Sequence, residues 1–266
     1  DSHVYFPQSS MIGAFGDLLF DWLNKYTFPT ERKFADKAFA SSVAKVFLNE
    51  QLRNGITTSC VYCTVFPQSV DALFEEAERL GMRIAAGKVL MNRNAPDYLL
   101  DTTKTGYDDS KALINTWHGK NRLMYAITPR FAPTSTADQL DSAAALWSEH
   151  PDCYMQTHVS ENKGEIAWVK ELFPERKGYL DVYDHHNLCR PRAVFGHGIH
   201  LDDDEMQCMH ATGSAISHCP TSNFFLGSGY FNIHRAMDKR RPVRVGLGTD
   251  LGAGTSFSIL LTLNEA

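Results

Sequence analysis

Four histidines and one aspartate stand at matching places in this sequence. Each lies at or near the end of a short apolar run: His3 in "DSHV", His158 in "CYMQTHV", His197 in "AVFGHGI", His218 in "SAISHC" and Asp250 in "PVRVGLGTD". Taken singly, a strand histidine more often satisfies a hydrogen bond than binds a ligand. As a set, four imidazoles and a carboxylate at the same end of parallel strands converge on one mouth. Neutral imidazole nitrogen and carboxylate oxygen suit zinc, or iron in a similar site. Three such ligands and a water would form a catalytic centre, because the metal brings the pKa of the water toward neutrality. Glu161 follows His158 by three residues, where a helix is expected to begin at about Ser160. It reads as a carboxylate favoured by the helix dipole or as a proton shuttle facing the activated water. Beside a ligand histidine, the shuttle is the stronger reading.

The elements that must position these residues recur along the chain. Apolar runs at 56–62, 83–90, 122–128, 153–159, 193–199, 214–219 and 242–250, with the stub "DSHV", make eight. Amphipathic stretches separate them. "SVDALFEEAERLG" (69–81) places Leu73, Phe74, Ala77 and Leu80 on one face and stops at Gly81. "TADQLDSAAALWSEH" and "ENKGEIAWVKELF" behave likewise. Strands alternating with such helices imply parallel crossovers, and eight imply a (β/α)8 TIM-type barrel with its site at the strand C-termini. An open doubly wound sheet is the alternative, but no GxGxxG loop follows the first complete strand.

Composition narrows the function classes. At 266 residues, 43% hydrophobic and 21% charged, the chain suits one domain, residues 1–266. A net charge of −5 argues against a nucleic-acid partner, and no apolar run approaches the roughly 18–20 residues of a membrane span. Six cysteines are too sparse for a disulfide scaffold and favour a reducing, cytoplasmic setting. Cys60 and Cys63 form "CVYC", either redox-active, half of a zinc knuckle, or buried strand thiols. With no second CxxC, buried thiols are the reading to prefer.

Several stretches resemble the guanine deaminases of the amidohydrolase superfamily: "DSHV-x-x-PQ", "LNKYTFPTER", "ITPRFAPT", "THVSENKGEIAWVK", "HCPTSNFFLGSG" and "GLGTDLGAGTSF". "TPRF" with "HVSEN" is specific to these deaminases, whereas "GTD" and "HCP" are shared across many amidohydrolases. The resemblance runs over nearly the whole chain. It implies the barrel, with a small β-sandwich and closing helices that this chain would lack, so that it reads as a fragment with a truncated first strand.

The resemblance also implies roles. His3, His158 and Asp250 carry over as metal ligands, and His197 as a ligand or as the residue that holds the water. His218 would support the site from behind. Gln8 and Arg130 would donate to the carbonyl and ring edge of guanine, and Phe131 would stack on it. Zn2+, with Fe2+ as the alternative, would be the cofactor, and the full-length form would be a homodimer. A metal-activated water, deprotonated by Asp250, would attack C2, while Glu161 would protonate N3 and help ammonia leave, yielding xanthine. One position departs from the pattern. The family's first strand ends in HxH, and here it reads His3-Val4-Tyr5. A neutral phenol is a poor zinc ligand. Two other readings follow: an amidohydrolase acting on a different heterocycle, such as a triazine or pterin, and a non-catalytic member.

Overall fold

A computed structural model describes residues 1–14 and 19–266, the side chains of Leu19 and Phe20 excepted. The strands are β1 (Val4–Tyr5), β2 (Thr58–Tyr62), β3 (Arg83–Gly87), β4 (Val89–Leu90), β5 (Leu123–Pro129), β6 (Tyr154–Val159), β7 (Ala193–His197), β8 (Ala215–His218) and β9 (Arg244–Leu247). The helices are α1 (Leu19–Trp22), α2 (Phe28–Glu31), α3 (Lys37–Arg53), α4 (Pro67–Leu80), α5 (Thr103–Trp117), α6 (Ala137–Glu149), α7 (Lys163–Leu172), α8 (Tyr179–His185), α9 (Asp203–Thr212), α10 (Pro220–Phe225), α11 (Ile233–Ala236) and α12 (Ile259–Glu265). Among the described residues every strand pairing is parallel, in the order β1-β2-β3-β5-β6-β7-β8-β9, with β4 pairing β5 off this path.

The sheet curls until its two ends meet. Ser2 N–H donates to Leu247 O, and Asp250 N–H donates to His3 O, each at 2.9 Å. The Asp1 carboxylate reinforces this seam by accepting from Thr249 N–H at 3.0 Å and from its hydroxyl at 2.5 Å. This is the expected eight-membered parallel ring with helices outside it. No described helix is long and apolar enough to cross a membrane.

The run at 83–90, expected as one strand, divides after Gly87. A Cβ at Gly87 would lie 1.8 Å from Ala126 O, so only glycine permits this approach. The next amide, Lys88 N–H, leaves the ladder and donates to the Tyr125 hydroxyl at 3.2 Å. The Lys88 side chain is fully buried and pairs with Asp101.

Alternation along the strands sets the interior. On β6, Gln156 reaches across to Val61 O and Thr128 Oγ1, at 2.9 and 3.1 Å, and His158 stands two residues on along the same face. Outside the ring, Ile84, Met155, Phe195 and Ile216 share one buried core with Leu73, Phe74, Leu140, Trp147 and Met206 of the helices. Helix ends follow their caps. α4 stops at Leu80 with Gly81 left-handed at φ 67°, and the Thr136 side chain accepts from Gln139 N–H at the start of α6. α7 differs from expectation, beginning at Lys163 rather than near Ser160. Ser160 is left-handed, at φ 48°, and Asn162 and Glu165 form a capping box two residues further on.

Candidate active site

The C-terminal ends of the strands bring the chemistry-bearing residues together. His3 precedes β1, His158 lies in β6, His197 ends β7, and Asp250 follows β9. Ligand nitrogens of His3, His158 and His197 all lie within 4.8 Å of one another. Asp250 joins them, with Oδ1 3.4 Å from His3 Nε2 and Oδ2 3.8 Å from His197 Nε2. Gly196 makes room for this cluster: a Cβ there would sit 2.6 Å from the His3 ring.

Three of the four groups are held from behind. His158 Nδ1 meets Arg130 O at 2.6 Å, which makes Nδ1 the donor and turns a bare Nε2 inward. His197 Nδ1 donates to Asn223 Oδ1 at 2.8 Å, which turns Nε2 toward the cluster. Ser222 donates to Asp250 Oδ2 at 2.6 Å. His197 and Asp250 also adopt left-handed backbone, at φ 68° and 46°. Such conformations cost about 1–3 kcal/mol each and cluster where geometry serves a site.

Electrostatics assign protonation. Burial, helped by the neighbouring His3 and His197, drives the His158 imidazole well below its ordinary pKa, so it is neutral. Burial alone would raise Asp250. The neighbouring His3 and His197 imidazoles and the Ser222 hydroxyl outweigh burial and hold Asp250 below the usual carboxylate range. Glu161 moves the other way: burial raises it, the Asp250 charge adds to that, and His197 and Ser228 only partly offset the rise. Burial lowers His197, yet the Glu161 and Asp250 carboxylates outweigh it and raise the imidazole. Glu161 Oε2 lies 3.6 Å from His197 Nε2, and its Oε1 accepts from Ser228 at 3.2 Å.

The donor set fits a zinc-class metal. His3 Nε2 is buried without a hydrogen-bond partner, although it faces Asp250. Three imidazoles and one ionised carboxylate converge around it, which is a nitrogen-and-oxygen set of zinc type. Tyr5 stands beside them with its hydroxyl 3.4 Å from His158 Nε2. Burial pushes its phenol far above the usual range, with Arg130 only partly opposing this, so Tyr5 is protonated. His218 stands apart from this set. Its Nδ1 is buried and unpartnered, its ring lies 4.8 Å from that of Phe231, and burial lowers it to about 4.

A cleft opens over the cluster, lined by Tyr5, Gln8, Arg130, Phe131, His158, Glu161, His197 and Asp250. All three residues expected to hold a ring are therefore at the mouth. Arg130 Nη1 bonds both oxygens of buried Glu31, at 2.9 and 3.1 Å. The guanidinium lies over the Tyr5 and Phe28 rings, at 5.2 and 5.4 Å. Sequence reading missed Trp22, Leu23, Glu165, Leu226 and Ala253 in the lining. It also assigned no role to Ser222, Asn223 or Ser228, although all three fall in "HCPTSNFFLGSG". Both cysteines of "CVYC" are free thiols: Cys60 donates to Gln156 Oε1 at 2.9 Å, and Cys63 is buried.

Comparison with known proteins agrees with this geometry. The sequence profile of the amidohydrolase family matches residues 1–266. Guanine deaminase of Escherichia coli (strain K12) is 54% identical over 266 residues, covering 100% of this chain and 60% of that protein. A solved E. coli guanine deaminase superposes with a TM-score of 0.98 at 54% identity, covering 100% of this chain and 61% of that one. A guanine deaminase from C. acetobutylicum, with guanine bound in its active site, superposes at 0.96 with 32% identity, covering 100% and 64%. The chain thus spans about 60% of the length of the curated relatives it matches.

Proposed function

The chain belongs to the amidohydrolase family, and from that premise we propose that it forms the catalytic barrel of a guanine deaminase. The reaction is hydrolytic: guanine and water give xanthine and ammonia. One observation carries the reading. Three imidazoles, an ionised carboxylate and a carboxyl of raised pKa meet at a cleft that also presents Arg130, Gln8 and Phe131. The similarity to guanine deaminases, one of them with guanine bound, supports the choice of substrate.

His3, His158, His197 and Asp250 are the residues that would hold a zinc-class metal, which when bound supplies a Lewis acid and lowers the pKa of water. The neutral His158 and the tautomers fixed by Arg130 O and Asn223 favour this role. Asp250, ionised, accepts the proton of the water that attacks C2. Glu161, whose raised pKa keeps a protonated fraction available, gives its proton to N3 and later carries one to the departing amine. Two ionised carboxylates around the same His197 Nε2 would repel each other, which also favours protonated Glu161. Arg130 and Gln8 orient the ring by donating to its carbonyl and edge. Phe131 offers an apolar face. A cytoplasmic setting belongs to this reading, supported by six free thiols.

The test is turnover by zinc-loaded protein. Guanine is expected to yield xanthine and ammonia in equal amounts, with adenine, a triazine and a pterin turned over far more slowly. Faster release of ammonia from one of the other rings would replace guanine as the substrate. A second reading, a purine-binding barrel with weakened metal affinity, rests on the Tyr5 hydroxyl beside His158 Nε2. Guanine binding without turnover, by protein that retains no zinc, would favour it.

A further inference from the structure

The barrel mouth is not the only place where metal-ligating atoms converge. A carboxylate oxygen of Asp184 and the Sγ atoms of Cys189 and Cys208 all lie within 4.8 Å of one another. Both cysteines are free thiols, and neither lines the active-site cleft. Asp184 is in the last turn of α8, Cys189 follows α8 four residues ahead of β7, and Cys208 is in the second half of α9. His197 ends β7 at the mouth, and α9 runs back from there. The cluster therefore belongs to the outer helical layer, toward the end of the barrel opposite the mouth.

Backbone bonds fix the turn that carries two of the three groups. Asn187, left-handed at φ 58°, turns the chain after α8. Asn187 N–H donates to Asp184 O at 3.0 Å, and Leu188 N–H donates to Tyr183 O at 2.9 Å. Leu188 and Met209, each next in sequence to one of the cysteines, are fully buried. The ligand atoms thus need little ordering to meet a cation.

We propose that Asp184, Cys189 and Cys208 form a second metal site, selective for a soft or borderline divalent cation of the zinc class. Two sulfurs and one oxygen are the ligand set such ions prefer, and they disfavour magnesium and calcium. At Zn–S distances of about 2.3 Å, a tetrahedral ion would hold its sulfurs about 3.7 Å apart, inside the 4.8 Å span seen here. The exposed Asp184 leaves the fourth position to water. Binding releases the two thiol protons, so affinity rises with pH. The ion would pin α9 to the turn after α8.

Cobalt(II) is the probe, because a thiolate–cobalt bond gives a near-ultraviolet charge-transfer band that imidazole and carboxylate ligands do not. Fully reduced protein, with six thiols verified by titration, is expected to develop this band on addition of cobalt. Cys208→Ser and Cys189→Ser should abolish the band, and Asp184→Asn should weaken apparent affinity roughly tenfold or more. Cys219→Ser is the control, because Cys219 lies near His3 and Asp250 at the mouth; it should leave the band intact. Cys208 is only half-buried, so its serine variant is expected to fold, which circular dichroism checks. Reduced wild-type protein without the band overturns the proposal. So does a band that survives folded Cys208→Ser, or one that only Cys219→Ser removes.

Discussion

Tyr5 stands where a second strand imidazole would face the cluster, since residues two apart on a strand share a face. Its ring stacks on Tyr62 at 4.6 Å, and burial keeps its phenol protonated beside His158 Nε2. A protonated phenol must lose its proton before it can bind a metal, which a neutral imidazole need not do. Tyr5→His is therefore expected to raise zinc retention after dialysis against a weak chelator. It should also lower the stability of the metal-free protein by about 1–3 kcal/mol, through lost stacking. Equal zinc content in both proteins would show that this position does not limit metal affinity. For Glu161→Gln, zinc content and guanine binding should persist while turnover drops by about 10² to 10⁴-fold, the usual contribution of an acid–base group. An unchanged rate would reduce Glu161 to a carboxylate near a helix start. At this scale the sequence was informative, because ligand chemistry restricts residue type and strand period restricts place. It did not disclose Asn223 or Ser222, which meet the cluster through one hydrogen bond each, to His197 and to Asp250. Asn and Ser are common in loops for many other reasons.

Among the elements, the turn between β6 and α7 has the most consequence for the site. Glu165 Oε2 accepts from the backbone N–H groups of Glu161 and Asn162, at 3.0 and 3.1 Å, and its Oε1 accepts from the Tyr179 hydroxyl at 2.7 Å. One buried carboxyl thereby fixes the backbone that aims Glu161. Burial, with the Glu161 charge added, raises Glu165 to about 7 despite the Tyr179 and Asn162 donors. The sign follows from linkage. The folded protein binds more protons than the unfolded chain between the ordinary glutamate pKa and about 7, so stability falls as pH rises through that window. The span sets an upper limit of about 3 kcal/mol. Glu165→Gln should flatten this part of the stability–pH curve relative to wild type. Chemical denaturation at pH 4.5, 6 and 8 measures it, and parallel curves would rule the effect out. The sequence pattern placed a helix here but started it near Ser160, because apolar periodicity does not register a left-handed residue. The break between β3 and β4 was equally hidden. It depends on the Tyr125 hydroxyl, 37 residues away in sequence from the amide it captures.

In the molecule as a whole, the proposed metal set straddles the barrel's closing seam. His3 enters from the β1 side and Asp250 from the β9 side, and the backbone bonds between these ends include Asp250 N–H to His3 O. The eight-stranded ring was legible from the count of apolar runs, but the identity of the seam was not, since it rests on contacts between positions 1–3 and 247–250. A metal bound by both sides favours the closed ring over any state with the seam open. Ligation confined to the folded state stabilises by about 2.7 kcal/mol at one hundred times the dissociation constant. For a chain of this size that is a rise in Tm of roughly 5–10 °C. Zinc should produce this shift in a Cys208→Ser background, where the second proposed site is disabled. Backbone amides of residues 2–5 and 244–250 should gain hydrogen-exchange protection on zinc addition, while those of α4 and α5, remote from the seam, should not. Thr249→Val, which removes the hydroxyl bond to Asp1, should loosen the seam without touching a ligand and so reduce the zinc-induced rise in Tm. If zinc leaves Tm and seam protection unchanged in the Cys208→Ser protein, then His3 and Asp250 are not held by a common ion, and the metal assignment at the mouth fails with them.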